Sequence, residues 1–209
     1  MIFYKRTPFI NASYGLTKGL VLLTLFCVSC REPLGYGVSL YFMPEDCQEM
    51  HIHGNIKDQT ISIELDVKGE TIPRDNEIER IITNYYIEGG RCCAGSVLRA
   101  IRYKQDVCRG LTITSNDLVF GLSPGSDLTD YFYIQSDSFL ITAEKRLVYH
   151  NWENMTIQEF LSYNPLVVPK MSIVSSRRYN KDSLTVKVTL LLENGQFLEN
   201  TLTIPERVD

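Results

Sequence analysis

Near its end the chain reads "SLTVKVTLLLENGQFLENTLTIP", with apolar and polar residues alternating on both sides of Asn194-Gly195. Successive side chains of a strand point to opposite faces, so each run has one apolar face. Asn-Gly is the pair favoured where a type I′ turn reverses the chain. The segment therefore predicts a hairpin of Leu184 to Leu192 with Gln196 to Ile204. A hairpin with one apolar face must cover that face against a second layer.

The same alternation recurs upstream. In "TISIELDV", Ile61, Ile63, Leu65 and Val67 fall on one face, with Ser62, Glu64 and Asp66 on the other. "GVSLYFM", "RGLTITS", "DYFYIQS" and "SFLITAEKRLVYH" are further short runs bounded by turn-forming residues. "SVLRAIRYKQ" and "ERIITNYYIEG" read as strands too, the second because paired β-branched residues precede two tyrosines. One short helix is expected near 156–163: Thr156 and Glu159 form a capping box, and Asn164-Pro165 ends it. Strands at this spacing predict a mainly β chain, an antiparallel β-sandwich rather than alternating α/β units.

The N-terminal segment belongs to another class. Leu20 to Val28 is apolar apart from Thr24 and much shorter than the roughly 20 residues of a spanning helix. Lys5, Arg6 and Lys18 lie upstream, and no acid precedes Glu32. That order is the order of a secretory signal. Ser29-Cys30 ends the run in a way that resembles a lipobox, with Cys27 where leucine is usual, so lipidation is expected at Cys30. A plain cleaved signal is the rival reading. Residues 1–29 would then be signal peptide, 30–35 a lipidated tether and 36–209 a single β-sandwich domain. Cleavage before Cys30 leaves 180 of the 209 residues and removes three of the 21 basic ones, for a net charge of −7 against 25 acids. Such a chain has no electrostatic case for nucleic acid. Its expected partner is the membrane, through more than one acyl chain.

Cys47, Cys92, Cys93 and Cys108 remain, and in an oxidising compartment an even count predicts two disulfides. Neighbours in a strand face opposite ways, so one of Cys92 and Cys93 is expected to pair with Cys47 and the other with Cys108. A vicinal Cys92–Cys93 bridge is the alternative. "CQEMHIH" sets Cys47 near His51 and His53, but the spacing matches no common zinc pattern; no metal and no cofactor is expected.

The loose lipobox, the segment "VCRGLTITSNDLVFGLSPGSDLTDYF" and the closing strand-ENGQ-strand hairpin together resemble the small lipoproteins of Bacteroides-type gut bacteria. The resemblance implies lipidation at Cys30, transport to the outer membrane and an immunoglobulin-like fold. It implies no activity.

The residues themselves offer no G-x-S-x-G elbow, no H-E-x-x-H and no phosphate loop, so no catalytic residue is assigned. Asp127 and Asp130 form a lone D-x-x-D that turn capping explains. Aromatic side chains are the lead for binding. Tyr131 and Tyr133 are expected to share a strand face, and Trp152, set among Asn151, Glu153 and Asn154, is expected to be exposed. Such residues stack on sugars or anchor protein partners. The function expected is a cell-envelope binding or adhesion module for a glycan or an envelope protein. An accessory subunit of an outer-membrane complex and an envelope hydrolase are the alternatives.

Overall fold

A computed structural model describes residues 39–88, 98–181 and 183–204. The expectations for the signal segment, Cys30, the tether, Cys92 and Cys93 lie outside these residues. In chain order the elements are β1 (Ser39–Glu45), β2 (Glu49–Lys57), β3 (Thr60–Lys68), α1 (Asn76–Glu88), β4 (Leu98–Lys104) and β5 (Cys108–Ser115). A 3-10 turn (Thr129–Tyr131) leads into β6 (Phe132–Ile141), β7 (Leu147–Thr156), α2 (Ile157–Ser162), β8 (Lys170–Ser175), β9 (Leu184–Leu192) and β10 (Phe197–Ile204). From Leu40 onward they belong to one compact unit.

Alternation decides which faces are buried. Ile61, Ile63, Leu65 and Val67 on β3 are fully inaccessible, and Leu184, Val186, Val188, Leu190 and Leu192 on β9 nearly so. Each such side chain contributes about 1.5–3 kcal/mol by leaving water. The strands form a five-stranded sheet in the order β2-β3-β8-β6-β7, a three-stranded sheet β10-β9-β5, and the pair β1-β4. The ladders within the two larger sheets are antiparallel. Their apolar faces join in one core, which makes the mainly β, antiparallel sandwich that the sequence predicts. At the β2–β10 seam Asn200 Nδ2 donates to Met50 O at 2.8 Å. A Cβ at Gly54 would stand 2.8 Å from the backbone oxygen of Ser62 on β3, so glycine lets the strands pack closely there.

The N-cap half of the α2 capping box forms: Thr156 Oγ1 accepts from the Glu159 N–H at 3.0 Å. β4 falls where "SVLRAIRYKQ" predicts a strand, and the terminal hairpin has the predicted partners. Its turn differs, because only Gly195 has positive φ (85°) and Asn194 does not. The Gly195 N–H bonds to Leu192 O at 3.0 Å. That is a type I turn closed by a left-handed glycine, whereas both central residues of a type I′ turn need positive φ. Asp58 and Gln59 meet that requirement between β2 and β3, with φ of 51° and 64°.

"ERIITNYYIE", Glu79 to Glu88, is not a strand: it lies in α1. Asp75 Oδ1 caps the helix, accepting from the N–H groups of Glu77 at 2.9 Å and Ile78 at 3.2 Å. Ile78, Ile82 and Tyr86 recur every fourth residue and are buried, a stripe of helical period that outweighs β-branched composition. Tyr85 and Tyr86 pack edge-on against Phe139 of β6 at 5.4 and 5.8 Å.

A buried ionic cluster fastens β1 and β4 to β3. Lys104, whose side chain is 0% exposed, donates to Glu45 Oε2 at 2.9 Å and to Asp46 O at 2.7 Å. Arg102 binds Glu45 through Nε at 3.1 Å and Nη2 at 2.9 Å, and reaches Asp66 at 3.1 Å and Val67 O at 3.1 Å. Burial works to raise the Glu45 pKa, but the hydrogen bonds from Arg102 and Lys104 outweigh it and hold the carboxyl below its ordinary value.

Candidate functional site

The polar face of β3 is the outer face of the five-stranded sheet, away from the core. There Glu64 pairs with His53 of β2 on one side and with Ser172 of β8 on the other, and Ser172 pairs with Gln135 of β6. The four side chains form a row across four strands, spaced about 4.8 Å apart.

Two irregularities in the β6–β7 ladder shape the next part of the surface. From Ile134–Met155 to Ser136–Trp152, β7 carries one residue more than β6; from Ser136–Trp152 to Phe139–His150, β6 carries the extra one. Successive bulges on opposite strands restore the register while bending both locally. Asn154, at φ 54°, lies in the first of them.

Beside the bulges the outer face holds an open groove of about 490 Å³. Glu64, Asp137, Glu153 and Lys170 supply its charges, and all four are exposed. Gln135, Ser136 and Ser172 add an amide and two hydroxyls, and the nearly buried Trp152 and Met171 border it. Among the described residues none of the four charged side chains takes part in an ion pair. Ser136 is held in place, its hydroxyl donating to Lys170 O at 3.0 Å and accepting from the Ser138 N–H at 3.0 Å.

Trp152 is in the groove but is not the exposed aromatic that its polar neighbours predict. Its residue is 4% exposed. The indole stacks on Phe160 of α2 at 5.8 Å and 13°, and Nε1 donates to Ser138 O at 3.1 Å. The bulges turn it inward while Glu153 and Asn154 stay exposed. Tyr131 and Tyr133 do not share a strand face: Tyr131 ends the 3-10 turn, its ring 5.4 Å from Phe120 and under the Arg177 guanidinium at 4.4 Å. Tyr133, on β6, is half-buried. Neither tyrosine lines the groove with Trp152. Glu64, Asp137, Glu153, Lys170 and Ser172 were not singled out by sequence; alternation marks Glu64 as outward-facing, but nothing in sequence shows the bulges.

Cys47 and Cys108 are free and buried, so the two expected bridges are not found at these ends. Burial pushes the Cys108 thiol up to about 12 and, with Asp106 beside it, raises that of Cys47 strongly as well. Thiols buried and held protonated in this way are poor nucleophiles. His51 instead bonds Glu49 at 2.8 Å. Asp127 caps a turn, accepting from the Thr129 N–H at 2.8 Å and from its hydroxyl. Asp130 accepts from Gln158 at 3.1 Å. Among the described residues no helix is long and apolar enough to cross a membrane.

No protein-family model and no curated protein matches the chain. Three solved structures show a remote likeness. A conjugative transposon lipoprotein from Bacteroides eggerthii is 9% identical at a TM-score of 0.27, over 75% of this chain and 94% of that one. The C-terminal domain of the antigen I/II polypeptide BspA from Streptococcus agalactiae is 10% identical at 0.24, over 75% and 49%. The C-terminal domain of the antigen I/II-family protein AspA from Streptococcus pyogenes is 10% identical at 0.23, over 75% and 46%. The chain thus spans about half the length of the two streptococcal domains. At these scores the likenesses carry no functional argument.

Proposed function

We propose that the protein is a cell-envelope binding module, lipid-anchored through Cys30 to a bacterial outer membrane, which engages its ligand in the groove on the outer face of the five-stranded sheet. The observation that carries this reading is the groove. Its volume of about 490 Å³ lies within the range of about 300–1,000 Å³ found for ligand sites, and polar side chains from four strands converge on it. The general acid of a two-carboxylate glycosidase is a carboxylic acid kept protonated by its desolvated setting, whereas Glu64, Asp137 and Glu153 are all exposed. An accessory subunit needs a broad apolar patch. The large apolar side chains exposed among the described residues are Tyr41, Leu118, Tyr149 and Phe197, each on a different segment.

Ser172 stands in the middle of the groove row, so Ser172→Phe fills the groove with little effect on the core. Isothermal titration of both proteins with fractionated envelope glycans and peptides tests the reading. A fraction that binds the natural protein at least about tenfold more tightly than the variant, a difference of about 1.4 kcal/mol, supports it; equal binding by both contradicts it. The anchor is tested by the intact mass of protein extracted from its native membrane. The expected chain begins at Cys30 and carries acyl mass, and Cys30→Ala abolishes that mass. An unacylated chain of 209 residues would overturn the anchor.

A further inference from the structure

The lining of the groove is specific enough to narrow its ligand, an inference that rests on the groove being the binding site. Carboxylates only accept hydrogen bonds, a lysine ammonium only donates, and amides and hydroxyls do both. Along this groove the acceptors Glu64 and Asp137 stand with the donor Lys170 and the two-way groups of Gln135 and Ser172. Among the described residues the three charged groups have no ion-pair partner to give up. A sugar hydroxyl both donates and accepts, and its bonds to ionised side chains are about twice as strong as neutral ones.

From this mixed lining we propose that the groove takes an uncharged, hydroxyl-rich oligosaccharide. The ligand lies across the strands, where the row from Glu64 through Ser172 to Gln135 offers a partner about every 4.8 Å. Three carboxylates against one ammonium disfavour an anionic glycan. Lys170 opposes a run of basic side chains, and neither effect touches a neutral one.

The test uses the full protein in detergent, an array of neutral oligosaccharides, and hexalysine and polygalacturonate as charged probes, each titrated at about 0.1 M and about 1 M salt, between which the Debye length falls from about 10 to about 3 Å. The expected result is that a neutral oligosaccharide binds within about twofold at both salt concentrations, and at least about tenfold more weakly to Asp137→Ala and Ser172→Phe proteins whose circular dichroism is unchanged. Binding of hexalysine alone, lost at high salt and in Asp137→Ala, would overturn the oligosaccharide while leaving the groove as the site. Binding of polygalacturonate alone, or of none of the probes, overturns it as well. Oligosaccharide binding that both variants retain would place the ligand elsewhere and overturn the groove itself.

Discussion

Replacing Glu45 with glutamine is expected to cost about 3–5 kcal/mol of folding stability, because it removes the one carboxylate, among the described residues, in direct contact with a lysine that has no exposed side-chain surface. Without Glu45 the Lys104 ammonium either stays charged in a dry site or gives up its proton, and both are unfavourable. Arg102 keeps Asp66 and Val67 O, so the loss centres on Lys104. The double variant Glu45→Met/Lys104→Met removes both charges together and is expected to recover more than half of the loss, as apolar replacement of a buried pair often does. Urea denaturation of the single and double variants measures both effects. The pH dependence follows from the same carboxyl. Its folded pKa is depressed below the ordinary 4.5, so its contribution is complete above that value. It is lost as pH falls through the folded pKa. Glu45→Gln should therefore flatten the acid limb of the stability curve.

Trp152→Ala is expected to cost a similar amount, about 3–5 kcal/mol, by deleting a buried ring stacked on Phe160 and leaving a cavity. Trp152→Phe keeps most of the ring but leaves Ser138 O without its donor, for an expected loss of about 1–3 kcal/mol. Circular dichroism in a denaturant series separates the two variants. A loss below about 1 kcal/mol for Trp152→Ala would mean that the indole is a surface group after all.

The contrast between these residues shows what the sequence makes legible. The terminal hairpin, the buried set of β3 and the capped helix α2 can be read because each depends on residues near one another in the chain. α1 was misread because Ile81, Ile82, Tyr85 and Tyr86 suit a strand by type; the Asp75 cap and the four-residue spacing of Ile78, Ile82 and Tyr86 carried the contrary information. Trp152 was misplaced for a less accessible reason. Its neighbours in sequence are polar, and Glu153 and Asn154 are indeed exposed, but two opposed bulges rotate the indole onto Phe160. The groove depends on those bulges and on residues from β3, β6, β7 and β8 that meet only through register. Nothing along the chain announces it beyond the outward face of Glu64.

Trp152 is the single tryptophan of the chain and borders the groove from within the core, so its fluorescence reports on one indole at that edge. The most direct test of the proposed site is the Trp152 emission recorded while the protein is titrated with an envelope fraction that calorimetry shows to bind. A ligand seated in the groove packs over Ser136 and Glu153, which adjoin the indole, and the emission is expected to shift or change in intensity in step with the binding heat. Saturable binding that leaves the emission unchanged would contradict the assignment and move the site to another face of the domain.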